Sequence, residues 1–278
     1  MASSLPGNAL AEAGKALAVA QDDMRARLQD VLDRFEVTVA EANDLVVLED
    51  YEIVLIVDDS TSMASWAARP EYCKVGRPTP SRWDEAKEAV SMIAEIGCCF
   101  DRWGIDVFFL NRPGLKGVKG AGDPALAAAL QGPPRGRTPL TEMLGAVAQE
   151  CGGERPVLLF ILTDGEPNGG AANFSRQLRR LVKKQSTQHT FKVQVMACTA
   201  NDAEIGWLNS LDAELKEVDV TDDYHSERAE VQRAGRALRF NRADWVMKAM
   251  LGPISSKFDA WDEGPQAVCV RCDACAIQ

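Results

Sequence analysis

No apolar stretch in the 278 residues approaches the ~20 consecutive residues that a membrane-crossing helix needs; the longest runs, such as Val157 to Leu162, have strand length. A long basic tract is missing as well. With 31 basic against 41 acidic side chains the net charge is −10, which argues against non-specific attraction to nucleic acid and makes an anionic membrane a poor electrostatic partner. The eight cysteines are too few for a disulfide scaffold, and no secretory h-region opens the chain, so a reducing, intracellular setting is expected. Histidine is scarce. His189 and His225 are the only two, neither stands beside a motif, and both are expected to be structural or surface residues. No internal repeat is evident.

What the sequence does contain is an alternation of short apolar runs with helical patterns. Ile53 to Val57, Ile105 to Leu110, Val157 to Leu162 and Phe191 to Ala197 are rich in β-branched residues, as strands buried on both faces require. Between them, Trp83, Ala86, Val90 and Ile93 recur at helical spacing, with Ser81 and Asp84 as a capping box and Gly97 as the expected stop. Residues 139–150, 171–184 and 203–213 also read as helices. Such alternation predicts right-handed crossovers and a doubly wound α/β domain with a mostly parallel central sheet and helices on both faces. Residues 1–50, with ten acidic and four basic residues, read as an acidic helical arm, its apolar face spaced by Leu17, Leu28, Val31, Leu32 and Phe35. The domain itself is expected over 51–262, with a surface insertion at 64–82, and a cysteine-bearing tail over 263–278.

In an open parallel sheet, ligands bind beyond the carboxyl ends of the strands. Two of the predicted strands end in aspartate: Ile56-Val57-Asp58-Asp59-Ser60-Thr61-Ser62 and Leu162-Thr163-Asp164-Gly165-Glu166. Between them, Gly136-Arg137-Thr138-Pro139-Leu140 places a threonine at the mouth of a helix. Taken singly, each piece is also turn and cap material, Thr138 reading as a cap ahead of a first-turn proline. Together they form a hard-oxygen set without thiolate or imidazole, which suits Mg²⁺ or Mn²⁺, and carboxylates gathered there without a cation would repel one another.

These motifs resemble the von Willebrand factor A domain family, whose metal-ion-dependent adhesion site uses an Asp-x-Ser-x-Ser loop, a later Thr and a later Asp. The similarity runs from about Tyr51 to about Asp262 and includes Arg82-Trp83 and Lys248-Ala249-Met250-Leu251-Gly252-Pro253. By resemblance, Ser60, Ser62 and Thr138 would supply hydroxyl ligands, and Asp58 and Asp164 would bind directly or through water. The implied function is metal-dependent protein binding, with an Asp or Glu of a partner replacing a metal-bound water, rather than catalysis. The insertion at 64–82 departs from the compact family pattern and would bring Arg69, Lys74 and Arg77 near the metal. A metal-assisted hydrolase is the alternative, lacking an evident nucleophile or base, and a structural subunit with a closed metal site is another. A two-component receiver also begins with a run like Val54 to Asp59, with Asp106 to Pro113 resembling its third strand. Asn111 would stand where its phosphoacceptor belongs, and Ser62, Thr138 and Asp164 would go unexplained.

The chain closes on Cys269-Val270-Arg271-Cys272-Asp273-Ala274-Cys275-Ala276-Ile277-Gln278. Three thiolates leave a zinc site one ligand short, and the ferredoxin-type run lacks its final Cys-Pro. The last four residues fit the C-a-a-X pattern, with glutamine favouring farnesyl on Cys275, and Cys272 and Cys269 stand where palmitoylated cysteines occur in the similar tails of Ras-type small GTPases. One prenyl chain holds a membrane only marginally, so an acylated neighbour would be the second signal for anchoring on a cytoplasmic face. Arg233, Arg236, Arg239 and Arg242 repeat every three residues and read as a solvated or salt-bridged helix face. Cys98 and Cys99, expected after a helix end, read as buried thiols.

Overall fold

The computed structural model describes residues 26–67, 79–183, 190–199, 201–234 and 240–259. Outside these lie the three tail cysteines, Leu17, His189, Arg236 and Arg239, and most of the 64–82 insertion with Arg69, Lys74 and Arg77. The sheet has six strands: β1 (Glu52–Val57), β2 (Ile105–Phe109), β3 (Leu115–Val118), β4 (Val157–Thr163), β5 (Phe191–Ala197) and β6 (Val218–Thr221). Their spatial order is β3-β2-β1-β4-β5-β6, all neighbours parallel except the β2–β3 hairpin at one edge.

The expected doubly wound α/β architecture is present. The strand period of two divides the core: Ile53, Leu55 and Val57 of β1 and Leu158, Phe160 and Leu162 of β4 face one layer, while Val54, Ile56, Leu159 and Ile161 face the other. The first layer contains the helix at residues 26–35 (α1), α2 (Val39–Leu45), α3 (Arg82–Phe100), α4 (Pro124–Gln131), α8 (Tyr224–Ala234), α9 (Arg242–Leu251) and the short α10 (Ser256–Asp259). The second contains α5 (Leu140–Glu150), α6 (Ala171–Lys183) and α7 (Asp202–Asp212). Val31, Leu32 and Phe35 are buried as the apolar spacing predicted, so the described part of the acidic arm packs on α3's layer. Among the described residues no helix is long and apolar enough to cross a membrane.

Strand order also fixes where a crevice opens. From β1 the chain crosses through α3 to β2 on one side, then returns to β4 on the other side of β1. The connections therefore diverge at the carboxyl ends of β1 and β4, the topological switch point at which open sheets leave room for ligands. A receiver fold places its strands in the order 2-1-3-4-5, all parallel, and the antiparallel β3 and the order seen here depart from it.

Three expectations are corrected. Gly97 does not stop α3, which runs on to Phe100; a Cβ there would lie 3.1 Å from Ile53 Cδ1 and 3.3 Å from Ile105 Cγ2, so this glycine lets the helix approach the sheet. Cys98 and Cys99 accordingly lie inside the helix, their thiols donating to Val118 O and Glu95 O. Thr138 does not cap α5: Pro139 holds the N-cap position, with no side-chain cap bond. The capping box at Ser81 and Asp84 forms in both directions.

Candidate metal centre

The switch point is built by four loops that are tied to one another before any ligand is considered. After β1, Asp58 and Asp59 are fully buried, and the chain turns into a short 3₁₀ segment, Thr61–Ala64, because Asp58 Oδ1 accepts from Ser60 N at 2.9 Å. Thr61 and Gly136 exchange bonds: Thr61 N reaches Gly136 O at 3.2 Å, and Gly136 N reaches Thr61 Oγ1 at 3.1 Å. Gly136 has φ +109°, and a Cβ there would sit 2.2 Å from Asn111 Oδ1, so glycine is required.

Asn111, at the carboxyl end of β2, donates from its backbone to Asp59 Oδ1 at 2.8 Å and from its amide to Arg137 O at 2.8 Å, while its Oδ1 accepts from Arg137 N at 3.2 Å. The residue in a receiver's phosphoacceptor place is thus a brace between loops. The Arg112 guanidinium adds an ion pair to Asp59 Oδ2 at 3.1 Å. On the β4 side, Asn168 N donates to Thr138 O at 2.9 Å, so the threonine loop is held from both flanks.

Four of the five expected ligand residues are linked inside this frame. Ser62 Oγ donates to Asp164 Oδ1 at 2.9 Å, and Ser60 Oγ lies 3.0 Å from Ser62 Oγ, forming a continuous Ser60–Ser62–Asp164 chain. Asp58 joins it through Ser60 N and accepts from Thr163 Oγ1 at 2.9 Å on its second oxygen. Thr138 is brought to the same edge by the loop bonds above, and among the described residues its hydroxyl has no hydrogen-bond partner.

Electrostatics distinguish the two carboxylates. Asp164 is neutralised by Arg82, whose Nη1 meets Oδ2 at 2.8 Å, while the same guanidinium's Nη2 meets Glu204 Oε2 at 2.8 Å. Thr199 Oγ1 supports Glu204 at 3.1 Å. Asp58 has no basic partner among the described residues, and burial, followed by the Asp164 charge against the opposing hydrogen bonds, pushes its pKa up to about 6. A divalent cation fits this donor set: the oxygens are hard, two hydroxyls and two carboxylates are in hydrogen-bonded succession, and one buried carboxylate lacks a compensating charge.

Arg82 was legible only as the start of α3, and Glu204 had no sequence signal, because their roles depend on how the first turns of α3 and α7, from opposite faces, meet beyond the carboxyl ends of the strands. A different cluster, Glu52, Asp106 and Cys151, lies near the opposite edge, where β1 begins. Its groups already have partners: Gly152 N donates to Glu52 at 3.0 Å, and Gly117 N and Lys116 donate to Asp106 at 2.9 Å each. Burial pushes the Cys151 thiol up to about 12, away from the thiolate a metal requires. His225 lies on α8, exposed and tilted against Tyr224. Compared with known proteins, the chain matches no family model and no curated protein.

Proposed function

We propose that the chain is a metal-dependent protein-binding module without catalytic chemistry, resembling the von Willebrand factor A family in its use of the switch point. Asp58, Ser60, Ser62, Thr138 and Asp164 would hold Mg²⁺ or Mn²⁺, and an Asp or Glu side chain of a protein partner would complete the shell. The bound cation supplies a Lewis-acidic docking point for that carboxylate. The observation that carries this reading is the hydrogen-bonded chain Ser60–Ser62–Asp164 beside a buried, uncompensated Asp58. Loops fastened to each other in advance keep the ordering cost of binding small.

The test is capture of partners from native lysate with wild type and Asp164→Ala, each in Mg²⁺ and in EDTA, beside direct Mn²⁺ titration of both proteins. Partners and Mn²⁺ binding lost together support the proposal. A partner list that survives both EDTA and the substitution sinks it.

Residence on a cytoplasmic membrane face is proposed from Cys275-Ala276-Ile277-Gln278, with a farnesyl chain on Cys275 and palmitoyl chains on Cys272 or Cys269. It requires Gln278 to be the terminus made in the cell. Intact mass from native cells should show the added prenyl group and loss of three residues; an unmodified terminus refutes it.

A further inference from the structure

Away from the metal edge, α6 and Trp207 of α7 border an open groove of about 660 Å³ lined by Ala171, Ala172, Arg176, Arg180, Lys183 and Trp207, among others. It is basic on a chain of net charge −10. Arg176, Arg179, Arg180 and Lys183 fall along one exposed side of α6, a clustering hidden in sequence because Gln177, Leu178, Leu181 and Val182 separate the charges. Glu214 answers two of them, meeting Arg179 Nη2 at 2.7 Å and Lys183 Nζ at 3.8 Å. Arg176 and Arg180, one turn apart, have no acidic partner among the described residues. Like charges at this spacing disfavour a helix by a few tenths of a kcal/mol, a cost that an external anion removes.

Trp207 adds an apolar surface to the same groove. Trp207 packs edge-on against Phe174 and spends its indole N–H on Glu204 O at 3.0 Å, so only its carbon surface is offered to the groove. The spacing of the cations matches an extended chain. Alternate residues of a strand lie about 6.6–6.8 Å apart on one side, close to the ~6 Å rise between Arg176 and Arg180, and intervening residues point the other way. Carboxylates at alternate positions would meet the two guanidinium groups in charge-assisted, forked hydrogen bonds while an apolar residue between them meets Trp207.

We propose that the α6–α7 groove binds an extended acidic segment of a partner protein, with carboxylates at alternate positions and apolar residues between them. This site goes beyond the metal-dependent docking proposed above and does not need the cation. The probe is a fluorescein-labelled Glu-Leu-Glu-Leu-Glu peptide, followed by anisotropy with the full chain in Mg²⁺ and in EDTA. Arg176→Glu/Arg180→Glu is compared with Arg233→Glu, a control at an exposed position of α8, with matched thermal melts confirming that all are folded. Expected are saturable binding that weakens with salt, at least tenfold loss in the double variant, and no change with EDTA or in the control. Equal binding by the double variant, absence of binding by wild type, or a loss caused by EDTA alone overturns the proposal. Co-sedimentation with phosphatidylserine vesicles in the absence of peptide binding overturns it too, in favour of a membrane surface.

Discussion

Arg82 joins three parts of the chain through one guanidinium: its own helix, the strand end at Asp164 and α7 at Glu204. Its side chain is 12% exposed and that of Asp164 3%, so Arg82→Ala strands a buried carboxylate and should cost about 3 kcal/mol. If a divalent ion binds beside Asp164, it replaces much of the missing charge. Thermal melts of Arg82→Ala should therefore recover more stability from millimolar Mg²⁺ than wild type gains; equal gains would mean that no cation reaches Asp164.

Glu85, one turn along α3 from Arg82, shows the reverse situation. Its Oε2 is buried without a hydrogen-bond partner among the described residues, and burial, with Asp223 adding repulsion, pushes its pKa up to about 8 from 4.5. A carboxyl whose pKa is raised on folding supports the native state while protonated, fully below pH 4.5, and loses that support as pH rises through 8. Glu85→Gln is expected to raise Tm by about 5 °C at pH 8.5, where wild type must hold the buried charge, and to change little at pH 5. Melting curves at the two pH values decide this.

Elements were legible in proportion to how strongly burial patterned them. β1, β4 and β5 are buried on both faces, which demands unbroken apolar runs, and their ends fall within a residue of the sequence reading. The edge strands β3 and β6 were missed because Leu115-Lys116-Gly117-Val118 and Val218-Asp219-Val220-Thr221 have four residues and include polar ones. In β6 those polar side chains face the fully buried Lys248, whose Nζ lies 3.3 Å from Asp219 and 3.4 Å from Glu227, a pairing no local pattern announces. Gly97 was misread for a related reason: glycine ends helices by conformation but also permits close approach, and only the sheet beneath α3 separates the two. Gly97→Leu, though it improves helix propensity by about 1 kcal/mol, should destabilise by more than that gain through overpacking against Ile53 and Ile105. Urea unfolding of the variant reads the net sign.

At the scale of the whole molecule, the switch point followed from the order of elements, and four of the five expected ligand residues are joined there by hydrogen bonds. What was not legible is the supporting frame. Asn111, Gly136, Arg82 and Glu204 act through contacts between elements distant in sequence, so their chemistry is ordinary until the fold assembles them. The basic face of α6 was equally hidden, since its cations are a single stripe only when wound at 3.6 residues per turn.

The bond from Ser62 to Asp164 spans 102 residues, and that from Thr163 to Asp58 spans 105. Neither can exist until β1 and β4 pair, a closure among the costliest in this topology. A nascent or refolding chain therefore passes most of its path without the oxygen cluster, and a divalent ion cannot guide the search for the native state. If the cluster holds such an ion as proposed, the ion can only act as a latch once the search is over, slowing escape: in stopped-flow experiments Mg²⁺ should then lower the unfolding rate and leave the refolding rate unchanged.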